Sequence, residues 1–143
     1  MTTLRQLLKE KGCDVYSVNP DNTVLDAIQE MADKSVGAVM VLDGDDPVGI
    51  FTERLYARGV FLQGRASPTT KIRDVMATRV IYAEPEQSVE ECMALMTKTK
   101  VRHIPVMEDG RLVGLISIGD LVKNKIADQE YAIEQLEQYI RSQ

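Results

Sequence analysis

The chain has one histidine, two cysteines and fewer basic residues than acidic ones. Each scarcity excludes a class of chemistry. A lone histidine, with no Cys–His or Ser–His–Asp context, argues against nucleophilic catalysis. No His/Cys cluster suggests a metal centre, so none is expected. Cys13 and Cys92 are far apart and form no C-x-x-C pair, which reads as two reduced thiols. The glycines give neither a P-loop nor a G-x-G-x-x-G. No apolar run approaches the ~20 residues that a membrane helix needs. The charged segment 1–12 lacks the apolar core of a signal peptide. A net charge of −5 argues against nucleic acid or an anionic membrane as a bulk partner. The expectation is a non-catalytic, cytoplasmic protein.

What is present is organised around Val101 to Asp120. Ile104, Val106 and Met107 read as a strand. Glu108, Asp109 and Gly110 supply a turn, with Gly110 able to take positive φ. Leu112 to Ile116 is an apolar run suited to a buried strand. Ser117 is placed to cap a helix whose first turn holds Asp120. Arg102 and His103 start this hairpin, so cations, a hydroxyl and a carboxylate gather around one strand–helix junction.

The same pattern occurs earlier. Val36 and Val101, Gly49 and Gly114, and Thr52 and Ser117 each stand 65 positions apart, and no gap is needed between Val15 and Asp120. This is a duplication of one unit. A unit of roughly sixty residues would be marginal alone, so two packed together are expected.

In chain order, 3–11 reads as a helix with Leu4, Leu7 and Leu8 on one face, matched before the second unit by Ile72, Val75 and Met76. Val15–Val18 is predicted to be a strand. Thr23 caps a helix with a stripe at Val24, Ala27, Ile28, Met31 and Ala32. Strands follow at 36–42 and 48–51, and then a helix from Thr52 through Leu55, Tyr56 and Val60. Gly64, Ser67 and Pro68 mark a linker. The second unit repeats the order, with a strand at Val80–Ala83 and a helix capped by Ser88. The repeats are placed at 4–62 and 72–126, with a linker at 63–71 and a helical tail at 127–143. Nothing in the repeats needs the tail stripe Ile133, Leu136 and Ile140, so its apolar face is expected to bind a second subunit.

This strand–helix–strand–strand–helix order resembles the cystathionine β-synthase (CBS) domain. The motif that carries the resemblance is Ile104-Pro105-Val106 followed by Gly114-Leu115-Ile116-Ser117-Ile118-Gly119-Asp120. Ile72-Arg73-Asp74-Val75-Met76 also looks like the family's inter-repeat segment. The chain is similar to small stand-alone bacterial pairs with a T-E-R and an S-I-G-D-L-V segment, some of which bind AMP and NAD. The resemblance implies an α/β fold of two β-α-β-β-α repeats with pseudo-twofold symmetry, plus a C-terminal helix. It also implies clefts that bind an adenosine nucleotide such as AMP, ATP or NAD, and a homodimer that serves a regulated protein partner.

By the same resemblance, Asp120 would accept from the ribose diol, with Ser117 and Gly119 beside it. Val15 and Tyr16, and Val80 and Ile81, would supply the adenine slot. Arg102 and His103 would meet phosphate, although adjacent strand residues point to opposite faces. Gly37 and Ala38 hold the corresponding positions in the first repeat and allow close approach. Thr52, Arg54 and Thr78 complete the set. Leu55 stands where the second repeat has Asp120, and leucine cannot accept a hydrogen bond. The resemblance implies that the first repeat's entry strand, Gly37 and Ala38 complete the Asp120 cleft and that Thr78, Val80, Ile81, Arg102 and His103 complete the Leu55 cleft, which puts the ribose acceptor and the basic pair in different clefts. A helix-start aspartate is also what the macrodipole favours. The alternative reading is a structural or interaction module with unoccupied clefts.

Overall fold

The computed structural model describes residues 1–142; Gln143, the last residue of the expected tail, lies outside the described residues. The elements are α1 (Leu4–Lys11), β1 (Ser17–Val18), α2 (Val24–Lys34), β2 (Ala38–Asp43), β3 (Asp46–Thr52), α3 (Glu53–Tyr56), α4 (Val89–Thr99), β4 (His103–Glu108), β5 (Arg111–Ser117) and α5 (Ile118–Arg141). The architecture is α/β, two repeats of the β-α-β-β-α pattern, the second with its first strand reduced to a bridge at Ala83 and its last helix prolonged as the C-terminal helix. The chain divides into two compact units. One is Asp14–Ile81; the other combines Met1–Cys13 with the chain from Tyr82 onward. The repeats set out above, 4–62 and 72–126, are units of sequence pattern, and the compact units are composed differently.

In the Asp14–Ile81 unit, Thr23 accepts from the Asp26 N–H and the Asp26 carboxylate accepts from the Thr23 N–H. This reciprocal capping box starts α2. Its stripe buries Val24, Ala27 and Met31. The helix stops at Ser35, whose left-handed φ of 55° ends the ladder. Strand β2 pairs parallel with β1 and antiparallel with β3. Val39, Val41 and Phe51 are fully buried with Val60 and Ile72.

The other unit repeats these devices. Ser88 and Glu91 form the capping box of α4, and Lys100 ends it at φ 58°. In the β4–β5 hairpin Asp109 and Gly110 take φ of 51° and 76°, the positive φ pair of a type I′ turn. The expected freedom of Gly110 is used, and Asp109 shares it. Both hairpins carry a register shift at the same place in the repeat, after Val41 and after Val106.

Each unit is closed by the segment that leads into the other repeat. The Leu4 N–H donates to Gln87 O and the Arg5 N–H to Pro85 O; the Ile72 N–H donates to Asn22 O and the Arg73 N–H to Pro20 O. The acceptors again differ by the repeat offset. Arg5 pairs with Glu86, and Arg73 with Asp21. These exposed pairs contribute little stability; the apolar contacts contribute more. Leu4, Leu7 and Leu8 are buried against Val89, Cys92 and Leu121, and a fully buried leucine is worth about 1.5–3 kcal/mol.

Two expectations are corrected. Val80–Ala83 does not form a strand; only Ala83 bridges, to Val106. The cause is Pro105. In the first repeat the Met40 N–H donates to Tyr16 O at 3.0 Å. Pro105 stands where Met40 does and has no N–H. The helix expected from Thr52 through Val60 is α for only four residues and then widens to a π-helical turn at Ala57–Phe61. By contrast α5 runs uninterrupted for 24 residues, with Leu121 its one buried residue.

Glycines make the close approaches in both units. A Cβ on Gly49 would lie 2.8 Å from Ala77 O, and one on Gly114 would lie 2.5 Å from Leu8 Cδ2. Ala77 O is fixed by the bond it accepts from the Ile50 N–H, whereas Leu8 is a side chain that can turn. Gly49→Ala is expected to destabilise by about 1–3 kcal/mol, the range for an overpacked core, and Gly114→Ala by less. Urea unfolding of both variants checks the order.

Candidate functional site

The best-defined polar cluster lies where β5 passes into α5. His103 pairs with Ser117 across the β4–β5 ladder. The Ile118 N–H donates to Arg102 O at 2.8 Å. Ser117 is the N-cap, and its hydroxyl accepts from the Asp120 N–H at 3.1 Å. The Asp120 carboxylate returns the contact, Oδ2 accepting from the Ser117 N–H at 2.9 Å. The helix-start reading of Asp120 is therefore realised as a capping box, worth about 0.5–2 kcal/mol.

A second partner arrives from α1. Lys11 Nζ donates to Asp120 Oδ2 at 2.9 Å and to Leu115 O at 2.8 Å. Burial is the largest single influence on Asp120 and opposes its charge. The Lys11 ammonium, then the Ser117 N–H and hydroxyl, together outweigh it and hold the carboxyl below the usual range. The carboxylate stays ionised although it is partly withdrawn from water. Beside it lies a groove of about 310 Å³ lined by Leu7, Glu10, Lys11, Asp120, Lys123, Asn124 and Ala127. Such a junction can accept hydrogen bonds from hydroxyls and donate from an ammonium.

The first repeat builds the same junction without the charge. The Glu53 N–H donates to Gly37 O at 3.1 Å, and Thr52 caps the Leu55 N–H at 3.1 Å. Ala38 pairs with Thr52 across the ladder. Leu55 cannot return a bond to the Thr52 N–H, so no capping box forms; its side chain packs on the core instead. Gly37, Glu53, Tyr56 and α2 residues including Met31 line a groove of about 460 Å³. Lys34 Nζ sits 5.4 Å from the centre of the Tyr16 ring, within cation–π range.

The expected site residues thus fall into two groups. Arg102, His103, Ser117, Gly119 and Asp120 gather around the α5 junction. Gly37, Ala38, Thr52 and Arg54 gather around the α3 junction of the other unit, with Val15 and Tyr16 leading into β1. Thr78, Val80 and Ile81 follow the Ile50–Ala77 bridge, with Thr78 exposed and the other two half-buried. Sequence reasoning missed Lys11 and Lys34. Lys11 meets a residue 109 positions away, and no local pattern marks such a pairing. The one available signal was the lead-in match of 3–11 to Ile72–Met76.

A duplicated α/β unit, with a capped strand–helix junction in each copy and a lead-in segment closing each unit, defines a tandem-repeat α/β module. The sequence pattern of the CBS domain matches residues 4–55 and 72–126, and the chain belongs to the CBS domain family. CBS domains are characteristically non-catalytic, and a general regulatory or sensor role follows. The chain is 36% identical to a mitochondrial CBS domain-containing protein of Arabidopsis thaliana, CBSX3, over 98% of this chain and 72% of that protein. It is 30% identical to the CBS domain-containing protein YhcV of Bacillus subtilis, over 80% of this chain and 81% of the relative. A solved structure of a putative signal-transduction protein with CBS domains from Burkholderia ambifaria is 53% identical and superposes with a TM-score of 0.86, covering 90% of this chain and 96% of that one. Among the described residues, no helix is long and apolar enough to cross a membrane, and no group of three or more His, Cys, Asp or Glu could hold a metal ion.

The depressed Asp120 carboxyl sets a pH signature. Its contribution to stability is fully present above the ordinary aspartate value. It is lost as pH falls from there through the lower value of the folded state. Asp120→Asn should flatten the acid limb of stability in that window and leave the slope near neutrality unchanged. Urea unfolding across the acid range, wild type against variant, measures it.

Proposed function

We propose that the chain is a non-catalytic sensor of adenosine nucleotides that binds its ligand at the Asp120 junction. The observation that carries this reading is the state of Asp120. It is an ionised carboxylate, fixed at a helix start, with both of its bonds on Oδ2 and with Oδ1 turned to neither partner. A nucleotide offers ribose hydroxyls to such an acceptor. AMP, ATP and NAD all carry that group. Arg102 and His103, at the start of the β4–β5 hairpin, would supply donors for phosphate. Leu55 offers no acceptor at the first repeat's junction, so the two junctions are read as unequal. Binding there would depend on other contacts, with Thr52 and Arg54 contributing and Thr78, Val80 and Ile81 beyond them. The competing reading, an interaction module with unoccupied clefts, is favoured by that leucine.

Calorimetry with AMP, ATP and NAD decides between the two readings. Asp120→Ala is expected to weaken the tighter site by about 1.5–3 kcal/mol, the range for a hydrogen bond to a charged group. Unchanged affinity in a folded variant would remove Asp120 from the site. The variant also loses its capping box, so its own unfolding midpoint must be measured beside the affinity.

The second half of the proposal is a homodimer formed through the end of α5. Ile126, Ile133 and Ile140 recur every seven residues, with Leu136 between the last two, and all are at least half exposed. A seven-residue apolar repeat is the seam of a coiled coil. The described residues beyond Leu121 bury little else, and an exposed stripe of this kind marks an interface. Truncation after Ile126 should shift the chain toward monomer in sedimentation equilibrium at micromolar concentration. A monomeric full-length chain would end this part of the proposal.

A further inference from the structure

The bonds already made at Asp120 limit how it can hold a diol. A carboxylate grips two vicinal hydroxyls most directly as a fork, one hydroxyl to each oxygen. Here Oδ2 already accepts from the Ser117 N–H and from Lys11 Nζ, both at 2.9 Å. An oxygen with two lone-pair positions has then no room for a third donor. Only Oδ1 remains, and the second hydroxyl needs another partner. That partner is already in contact with the carboxylate. The Lys11 ammonium has three donors, and two are used, on Asp120 Oδ2 and Leu115 O.

We propose that Lys11 is the second half of the diol site. Asp120 Oδ1 accepts from one ribose hydroxyl, and the remaining Lys11 N–H donates to the oxygen of the other. This rests on the adenosine-nucleotide reading of Asp120 and deepens it. The pair is a matched acceptor and donor, and two neighbouring hydroxyls can present one donor and one acceptor to it. Both side chains line the same groove, and both are partly exposed, Lys11 at 31% and Asp120 at 26%. They are reachable by a ligand and yet held in place. Lys11 is fixed by the Leu115 carbonyl and by α1, whose Leu4, Leu7 and Leu8 are buried in the same unit. The ligand class selected is the ribonucleotide with a free cis-diol. Analogues that lack either hydroxyl should bind less well, for two separable reasons.

The experiment is a chemical double-mutant cycle. AMP, 2′-deoxy-AMP and 3′-deoxy-AMP are titrated calorimetrically into the wild type, Lys11→Met, Lys11→Arg and Asp120→Ala. Methionine keeps the apolar stem, arginine keeps the charge and the donors, and circular dichroism reports folding of each. In the wild type each missing hydroxyl should cost about 10-fold or more, as for a hydrogen bond to a charged group. In Lys11→Met the penalty for one deoxy analogue should shrink toward unity while the other persists, and Lys11→Arg should restore part of it. A merely structural lysine would weaken all three ligands equally, and that result overturns the assignment. So does tighter binding of all three ligands to Lys11→Met, which would make Lys11 a plug on Asp120. If AMP binding requires Asp120 but both penalties survive in Lys11→Met, the Lys11 assignment fails and the nucleotide reading stands. If the wild type does not bind AMP at all, both fail together.

Discussion

Leu8 packs over Gly114 because a hydrogen stands where any other residue would place a Cβ. That contact is one of several that close the Met1–Cys13 and Tyr82-onward unit. It seats α1 and completes a core with Val89, Cys92 and Leu121. It also brings Lys11, one turn further along α1, against Asp120 at the start of α5. An apolar contact thus sets the position of a charge. A buried ion pair is a poor source of stability, because withdrawing two charges from water offsets most of their attraction. This pair is only partly withdrawn, and each member has other hydrogen bonds. The hydrophobic face of α1 supplies the binding energy of the helix, and the ion pair specifies where its end lies.

The two copies of the repeat diverge at positions where one residue changes what the backbone can bond to. Pro105 in place of Met40 removes an N–H and with it the strand that the first repeat forms as β1. Leu55 in place of Asp120 removes an acceptor, and the capping box of α5 has no counterpart in α3. The helix that lacks the box is four residues long before it widens to a π turn; the helix that has it runs for 24. Capping alone does not set helix length, but the difference in propagation lies in the same direction as the difference in capping.

The duplication, the hairpins, the caps at Thr23, Ser88 and Ser117 and the apolar stripes were legible in the sequence. They depend on neighbours within a few residues or on a period. The missing strand at Val80–Ala83 was also legible in principle. Pro105 was in view as part of the motif, but its cost appears only once Met40 is known to donate to Tyr16 O. Lys11 was not legible. It sits in an amphipathic helix whose charged residues all look alike, and only the packing of Leu4, Leu7 and Leu8 shows which of them faces Asp120. The lead-in exchange has the same origin, because periodicity identifies an apolar face and does not say which core will receive it.

Asp120 couples the fold to any ligand that it holds. Its carboxylate spends one oxygen on the chain: the N–H that starts α5, and the ammonium that anchors α1. A ligand that accepts the offer of the other oxygen adds to a group already charged and oriented, so little reorganisation opposes binding. The same ligand draws on a carboxylate whose position depends on α1 being docked. Any ligand that prefers the docked arrangement stabilises it by mass action, in proportion to the logarithm of its concentration over its dissociation constant. The N-terminal helix, the start of the C-terminal helix and a ligand bound at Oδ1 would thereby share one equilibrium. A regulatory module needs such a link, because occupancy of a site changes nothing downstream unless some element of the fold is held differently when the site is full.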